Sequence, residues 1–185
     1  EQIVLCATHS HTAPDYYRDL FLHLSEKVAV PLTDYPAHLI EQISQCILDA
    51  DRNCRPVEVK IGSADQQAPV SFNRRFVMRD GSVKTWQKLA NPQVIRAAGP
   101  IDSVLSFCSF QSQSTGEPIG VLSNFALHLD TVGGNRWSAD FPYFIEQTLS
   151  RTLGKSAHSL CGLGCCGDIN PVDPSQAKRN KTEFI

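Results

Sequence analysis

Two histidines in Ala7-Thr8-His9-Ser10-His11-Thr12-Ala13-Pro14 are the first side chains along the chain whose type and spacing could do chemistry. Neutral imidazole is a common ligand for zinc and other transition metals. The stretch follows a short apolar run, Ile3-Val4-Leu5-Cys6-Ala7, of the right length for a buried strand. Side chains two apart on an extended backbone leave on one face, so extension through Ser10 would aim both imidazoles at one point. Two ligands do not make a site, and further donors must come from elsewhere.

His128 is such a donor, because the apolar run Ile119 to Leu127 leads straight into it. A third polar tip, Gly164-Cys165-Cys166-Gly167-Asp168-Ile169-Asn170-Pro171, follows the short strand expected over Ser159 to Leu163. Ligands in open α/β sheets bind beyond the carboxyl ends of the strands. If the three strands are neighbours and parallel, His9, His11 and His128 become candidates for one shared metal. Gly164 and Gly167 would then let backbone amides approach a ligand, and Asp168 and Asn170 would orient the ligating side chains. A plainer reading has equal weight on spacing alone: His128 closes its strand against a carbonyl, and the glycine loop is a tight turn. A cysteine-ligated metal at Cys161, Cys165 and Cys166 is disfavoured, because adjacent cysteines point apart and the spacing is not that of a zinc knuckle. His23, His38 and His158 have no supporting partners.

The elements that must position these residues can be read in order. Tyr16, Tyr17, Leu20, Phe21 and Leu24 give an apolar face at helical spacing. Thr33-Asp34-Tyr35-Pro36 is a helix start, and Tyr35, Leu39, Ile40, Ile43, Ile47 and Ala50 form one face of a helix reaching about Ala50 to Arg52. Val57 to Ile61 alternates as a half-buried strand. Val70 to Met78 is less regular, and Arg79-Asp80-Gly81-Ser82 turns it into Val83 to Trp86. Within it Arg74 and Arg75 point to opposite faces, so one at most can face a pocket. Ser103 to Phe110 and Ile119 to Leu127 read as paired strands around the turn at Ser114 to Pro118. Ser138 caps a helix with Asp140 in its first turn, Phe141, Phe144, Ile145, Leu149 and Leu153 as its buried stripe, and Gly154 as its end. Strands alternating with two good helices make an α/β fold, a mixed β-sheet flanked by helices.

Composition agrees with a globular domain: 185 residues, 42% hydrophobic and 19% charged. With 17 basic against 19 acidic residues, the net charge of -2 argues against general affinity for nucleic acid or anionic membranes. The basic cluster Lys178-Arg179-Asn180-Lys181 reads as a solvated tail, and the sequon at Asn180 as a chance triplet. No transmembrane stretch or signal peptide is visible. Seven cysteines are an odd number, expected mostly as free thiols. The apolar run starts almost at Glu1 and no closing element follows Thr182 to Ile185. Residues 1–185 are therefore expected to form a single α/β domain that is a piece of a longer polypeptide.

The motifs taken together resemble those of the neutral/alkaline ceramidase family and its uncharacterised bacterial relatives. ATHSHTAP is similar to that family's ATHTHSGP, and FNRR to its NRS or NRR segment. NFALHLD and WSADFPYF resemble its NFAxHP and SADYPG pair, and CCGDINPVD its GDVSPN loop. The segments occur in the same order across nearly the whole chain. The family comprises zinc-dependent amidases that cleave the N-acyl bond of ceramide, a sphingolipid. The resemblance implies a zinc cofactor, a small-molecule or lipid amide as substrate, and a partial domain of a larger metallo-amidase-like fold. By motif position, His9 and His128 resemble zinc ligands, His11 the histidine that positions substrate and stabilises the oxyanion, and Arg74 the substrate-side arginine. The family's remaining ligands, a glutamate and a tyrosine, match no segment here and are expected beyond Ile185. Asn170 stands where the family has the serine of GDVSPN, and Leu129 follows His128 where it has proline. These departures keep a second reading open, the same scaffold used for binding with a degenerate metal site.

Overall fold

The computed structural model describes residues 3–13, 34–134 and 136–176. The apolar face of Tyr16 to Leu24, His23 and the tail from Lys178 onward lie outside the described residues. The described part is a mixed α/β fold. Helix α1 spans Tyr35–Arg52 and is followed by strands β1 (Val57–Asp65), β2 (Phe72–Asn73), β3 (Arg75–Met78), β4 (Val83–Thr85), β5 (Val94–Ala97), β6 (Val104–Ser112) and β7 (Pro118–Phe125). Helix α2 (Phe141–Leu153) then leads to β8 (His158–Leu163) and the two-residue β9 (Ile169–Asn170).

The main sheet has the order β1-β6-β7-β8. The hairpin around Gly116 pairs β6 and β7 antiparallel, and β1 adds antiparallel to β6. The return through α2 brings β8 in parallel to β7, from Gly120 opposite His158 to Phe125 opposite Leu163. A parallel pair needs a crossover of this kind, and the helix provides it. The two strands thus end side by side, and the polar segments that follow them leave from one edge. A small sheet β4-β3-β5 stands apart, folded around the Asp80-Gly81 turn. Gly81 takes φ 81, and Asp80 accepts bonds from the Ser82 hydroxyl and amide, which hold its carboxyl below the usual carboxylate range. β2 and β9 pair antiparallel and tie the FNRR segment to the GDIN loop.

Three sequence expectations need correction. Ile3 to Ala7 forms no strand, since it joins neither sheet edge and Val4 is 91% exposed. An apolar run becomes a strand only where a neighbour completes its backbone hydrogen bonds. The cap of α2 is Asp140, which accepts from Phe141 N, while Ser138 Oγ accepts from Asp140 N one step earlier. Neither helical stripe is fully buried: Ile40 and Ile43 on α1 and Phe144 on α2 are exposed. Asp34 stands at the start of α1 as expected, though its side chain makes no capping bond. All seven cysteines are free thiols.

Gly164 is where the exit of β8 crosses that of β7. Its amide donates to Phe125 O at 3.0 Å, and a Cβ here would lie 3.1 Å from the backbone N and Cα of Ala126. Overpacking against main chain is relieved only by moving it. Gly164→Ala should therefore lower the unfolding free energy by about 1–3 kcal/mol, read as a fall in the urea midpoint at unchanged slope.

Candidate metal centre

His128 is the fixed point of the site. It lies beyond β7, 3% exposed, and its ring Nδ1 is 2.6 Å from Cys166 O and 3.1 Å from Ile169 O. Carbonyls only accept, so Nδ1 carries the proton in the neutral ring and Nε2 is left with a free lone pair. The loop that holds the ring is itself held. Ile169 N donates to Cys166 O, and His128 N donates to Ile169 O. Both expectations about this loop thus meet: His128 does bond carbonyls, and in doing so it presents its other nitrogen.

His9 and His11 arrive from the other side on a turn, not on an extended strand. His9 has φ 51, a left-handed value that bends the chain and carries both rings to one place. His11 N donates to Leu129 O at 3.0 Å, which seats the turn on the segment after β7. Thr12 is buried and exchanges bonds with Ser138, its hydroxyl donating to Ser138 O and its carbonyl accepting from Ser138 N. Asp140, 1% exposed, accepts from the amides of Thr131, Val132 and Phe141 and from the Thr131 hydroxyl. Its carboxylate therefore joins the segment after His128 to the start of α2, and Ser138 extends that link to Thr12.

The three rings converge. His9 Nε2 is 3.1 Å from His128 Nε2, and ring centroids lie 4.7 to 5.3 Å apart. One ligand atom from each residue falls within 4.8 Å of the other two, so the three histidines could hold a metal ion. The His9–His128 spacing fits one: nitrogens at 2.0–2.1 Å in a zinc tetrahedron stand about 3.3 Å apart. His11 Nδ1 is 3.7 Å from Asp130 Oδ1, a carboxylate that sequence reading did not single out although it stands two residues after His128.

Asp168 and Asn170 sit on the loop itself, and Arg74 bonds to it from the segment between β2 and β3. Asp168 Oδ2 accepts from Asn73 Nδ2 at 2.8 Å, and its carbonyl accepts from Arg74 N. The Arg74 guanidinium donates to Gly167 O at 2.6 Å and lies over the Trp86 ring, 5.4 Å from its centroid. Arg74 and His128 are thus bonded to consecutive carbonyls, those of Gly167 and Cys166. Asn170 Oδ1 accepts from Val172 N, and the residue is 1% exposed. Burial pushes the thiols of Cys161 and Cys166 up from their ordinary values, which lowers their thiolate fraction and suits them poorly to ligate or attack.

No protein-family model matches this chain, and no curated protein does. Solved structures do. A ceramidase complexed with C2 superposes with a TM-score of 0.63 at 21% identity, over 95% of this chain and 27% of that one. Neutral ceramidase from Pseudomonas aeruginosa gives 0.61 at 21% identity, over 94% of this chain and 26% of its own. The chain therefore has a ceramidase-like fold and spans about a quarter of the length of these proteins.

Proposed function

We propose that this chain carries part of the active centre of a zinc-dependent hydrolase of N-acyl amides, related to the ceramidases. The observation behind the reading is the pair of imidazole nitrogens from His9 and His128, 3.1 Å apart and backed by a ceramidase-like fold. In it His9 and His128 hold the ion, and the carbonyls of Cys166 and Ile169 fix the tautomer and aim of His128. When bound, zinc supplies Lewis-acid polarisation of a carbonyl and acidification of a coordinated water.

The chain's own residues then have distinct tasks. His11, its Nδ1 3.7 Å from Asp130 Oδ1, donates a hydrogen bond to the oxygen on which charge develops. Arg74 serves the substrate side from the segment between β2 and β3, its plane set by Gly167 O and Trp86. Asp168 and Asp140 position rather than react. Asp168 locks the Asn73-Arg74 segment, and Asp140 locks the chain after His128. An apolar cavity of about 410 Å³, lined by Leu105, Phe125, Leu127, Phe141, Phe144 and Ile145, has the size and character for an acyl chain.

Hydrolysis of a fluorogenic N-acyl amide by the intact polypeptide tests this. Activity should vanish with a chelator and return with zinc. Activity indifferent to chelation would remove the metal from the reaction. Stoichiometric zinc without turnover on acyl chains of any length would favour the binding scaffold suggested by Leu129 and Asn170.

A further inference from the structure

The main sheet has one covered face and one open one. Along β7 burial alternates, and Val121, Ser123 and Phe125 are buried on the face that α2 covers. There the Phe125 and Phe141 rings meet edge to face, their centroids 6.4 Å apart. Leu122 points the other way and is exposed. The pairings set Ile61 opposite Cys108, Cys108 opposite Leu122 and Leu122 opposite Leu160, so these four form one row across all four strands. Ile61 is 84% exposed and Leu160 67%. The neighbouring row on the same face, Val59, Phe110, Gly120 and His158, carries no carboxylate, lysine or arginine. An uninterrupted apolar surface of this kind is uncommon unless something covers it.

Helix α1 offers a surface to match. Leu39, Ile43, Cys46, Ile47 and Ala50 fall on one side at helical spacing, yet no residue of the helix is buried. Only residues 53–56 separate α1 from β1, and Pro56 O accepts from Gln113 N at 3.2 Å, which anchors this tether at the sheet. Connections of that length commonly fold a helix back along the strand it precedes. The lengths agree as well: Arg52 back to Ile43 is about 13 Å of helix, and Val57 on to Ile61 about 13 Å of strand. Folding back therefore brings Ile43 level with Ile61. The same tether gives this chain's own helix an advantage in effective concentration over the helix of a second copy.

We infer that α1 is a strap that closes over the open face of the main sheet, laying Ile43 and its apolar neighbours on Ile61, Cys108 and Leu122. Closure gives the sheet a helix on each face, α2 on one and α1 on the other. It needs neither metal nor substrate.

Thermal unfolding of the chelator-treated chain provides the test. A helix left in solvent gains from Ile43→Gln, because glutamine is the better helix former. An open strand position tolerates Ile61→Thr, which keeps the β-branch. Under a closed strap each change removes buried apolar surface instead, and each should lower Tm by about 4–8 °C. The double variant should fall by clearly less than the two single effects together, because either change alone loosens the same contact. Leu48→Gln, on the far side of α1 and no less exposed than Ile43, should leave Tm unchanged. The parent Tm should not vary with protein concentration, as a contact within one chain requires. An unchanged or raised Tm in Ile43→Gln, additive losses in the double variant, or an equal fall in Leu48→Gln would overturn the inference. So would a Tm that rises with concentration, the mark of α1 seated on a second copy. Because metal is absent throughout, failure here leaves the hydrolase reading untouched.

Discussion

His128→Ala is expected to release zinc, with affinity falling more than about a hundredfold, since loss of a mere outer-shell partner already costs 10–100-fold. The structure says why this should be a clean loss. The loop around the ring keeps its own main-chain bonds, Ile169 N to Cys166 O and Arg74 N to Asp168 O, so the fold does not hang on the imidazole. Metal analysis after chelation and reloading reads the result, with His128→Gln as a variant of closer size. His11→Ala separates two roles on the same assay: metal retained with hydrolysis lost places His11 on the substrate, whereas metal lost as well makes it a third ligand. Full zinc in both His9→Ala and His128→Ala would end the metal-centre reading.

Asp140→Ala should be the most destabilising single change near the site. It strands three main-chain amides, those of Thr131, Val132 and Phe141, together with the buried Thr131 hydroxyl. At about 1–3 kcal/mol for an unmet buried donor, the loss should reach about 3 kcal/mol or more. For a domain of this size that is a fall in Tm of about 6–12 °C. Asp140 also sits at φ 57 and ψ -151, a region close to glycine-only, which costs about 1–3 kcal/mol when a side chain is forced there. Asp140→Gly should accordingly be milder than Asp140→Ala by about 1 kcal/mol. Equal stability of the alanine variant and the parent would show that the carboxylate is not the latch its bonds describe.

The sequence carried the strands and turns that local chemistry decides. Asp80-Gly81 gave the β3–β4 hairpin, Gly154 the end of α2, and the run into His128 the strand β7. It failed where a neighbour decides. Ile3 to Ala7 has the composition of a strand but pairs with no strand among the described residues. Ser138 and Asp140 are both good caps, and only the bonds of Asp140 to Thr131 and Val132 choose between them. The convergence of His9 and His11 on His128 was expected from an extended strand ending beside two parallel neighbours. It comes instead from one left-handed residue, which no periodicity signals.

The imidazole of residue 128 is aimed by peptide carbonyls, those of Cys166 and Ile169, and not by another side chain. Main-chain oxygens are common to every amino acid, so substitutions that respect the path of this loop cannot delete them. Orientation of the ring is thereby insulated from drift in the letters around it. A stretch reading CCGDIN can diverge far from its counterparts while continuing to point the same nitrogen in the same direction.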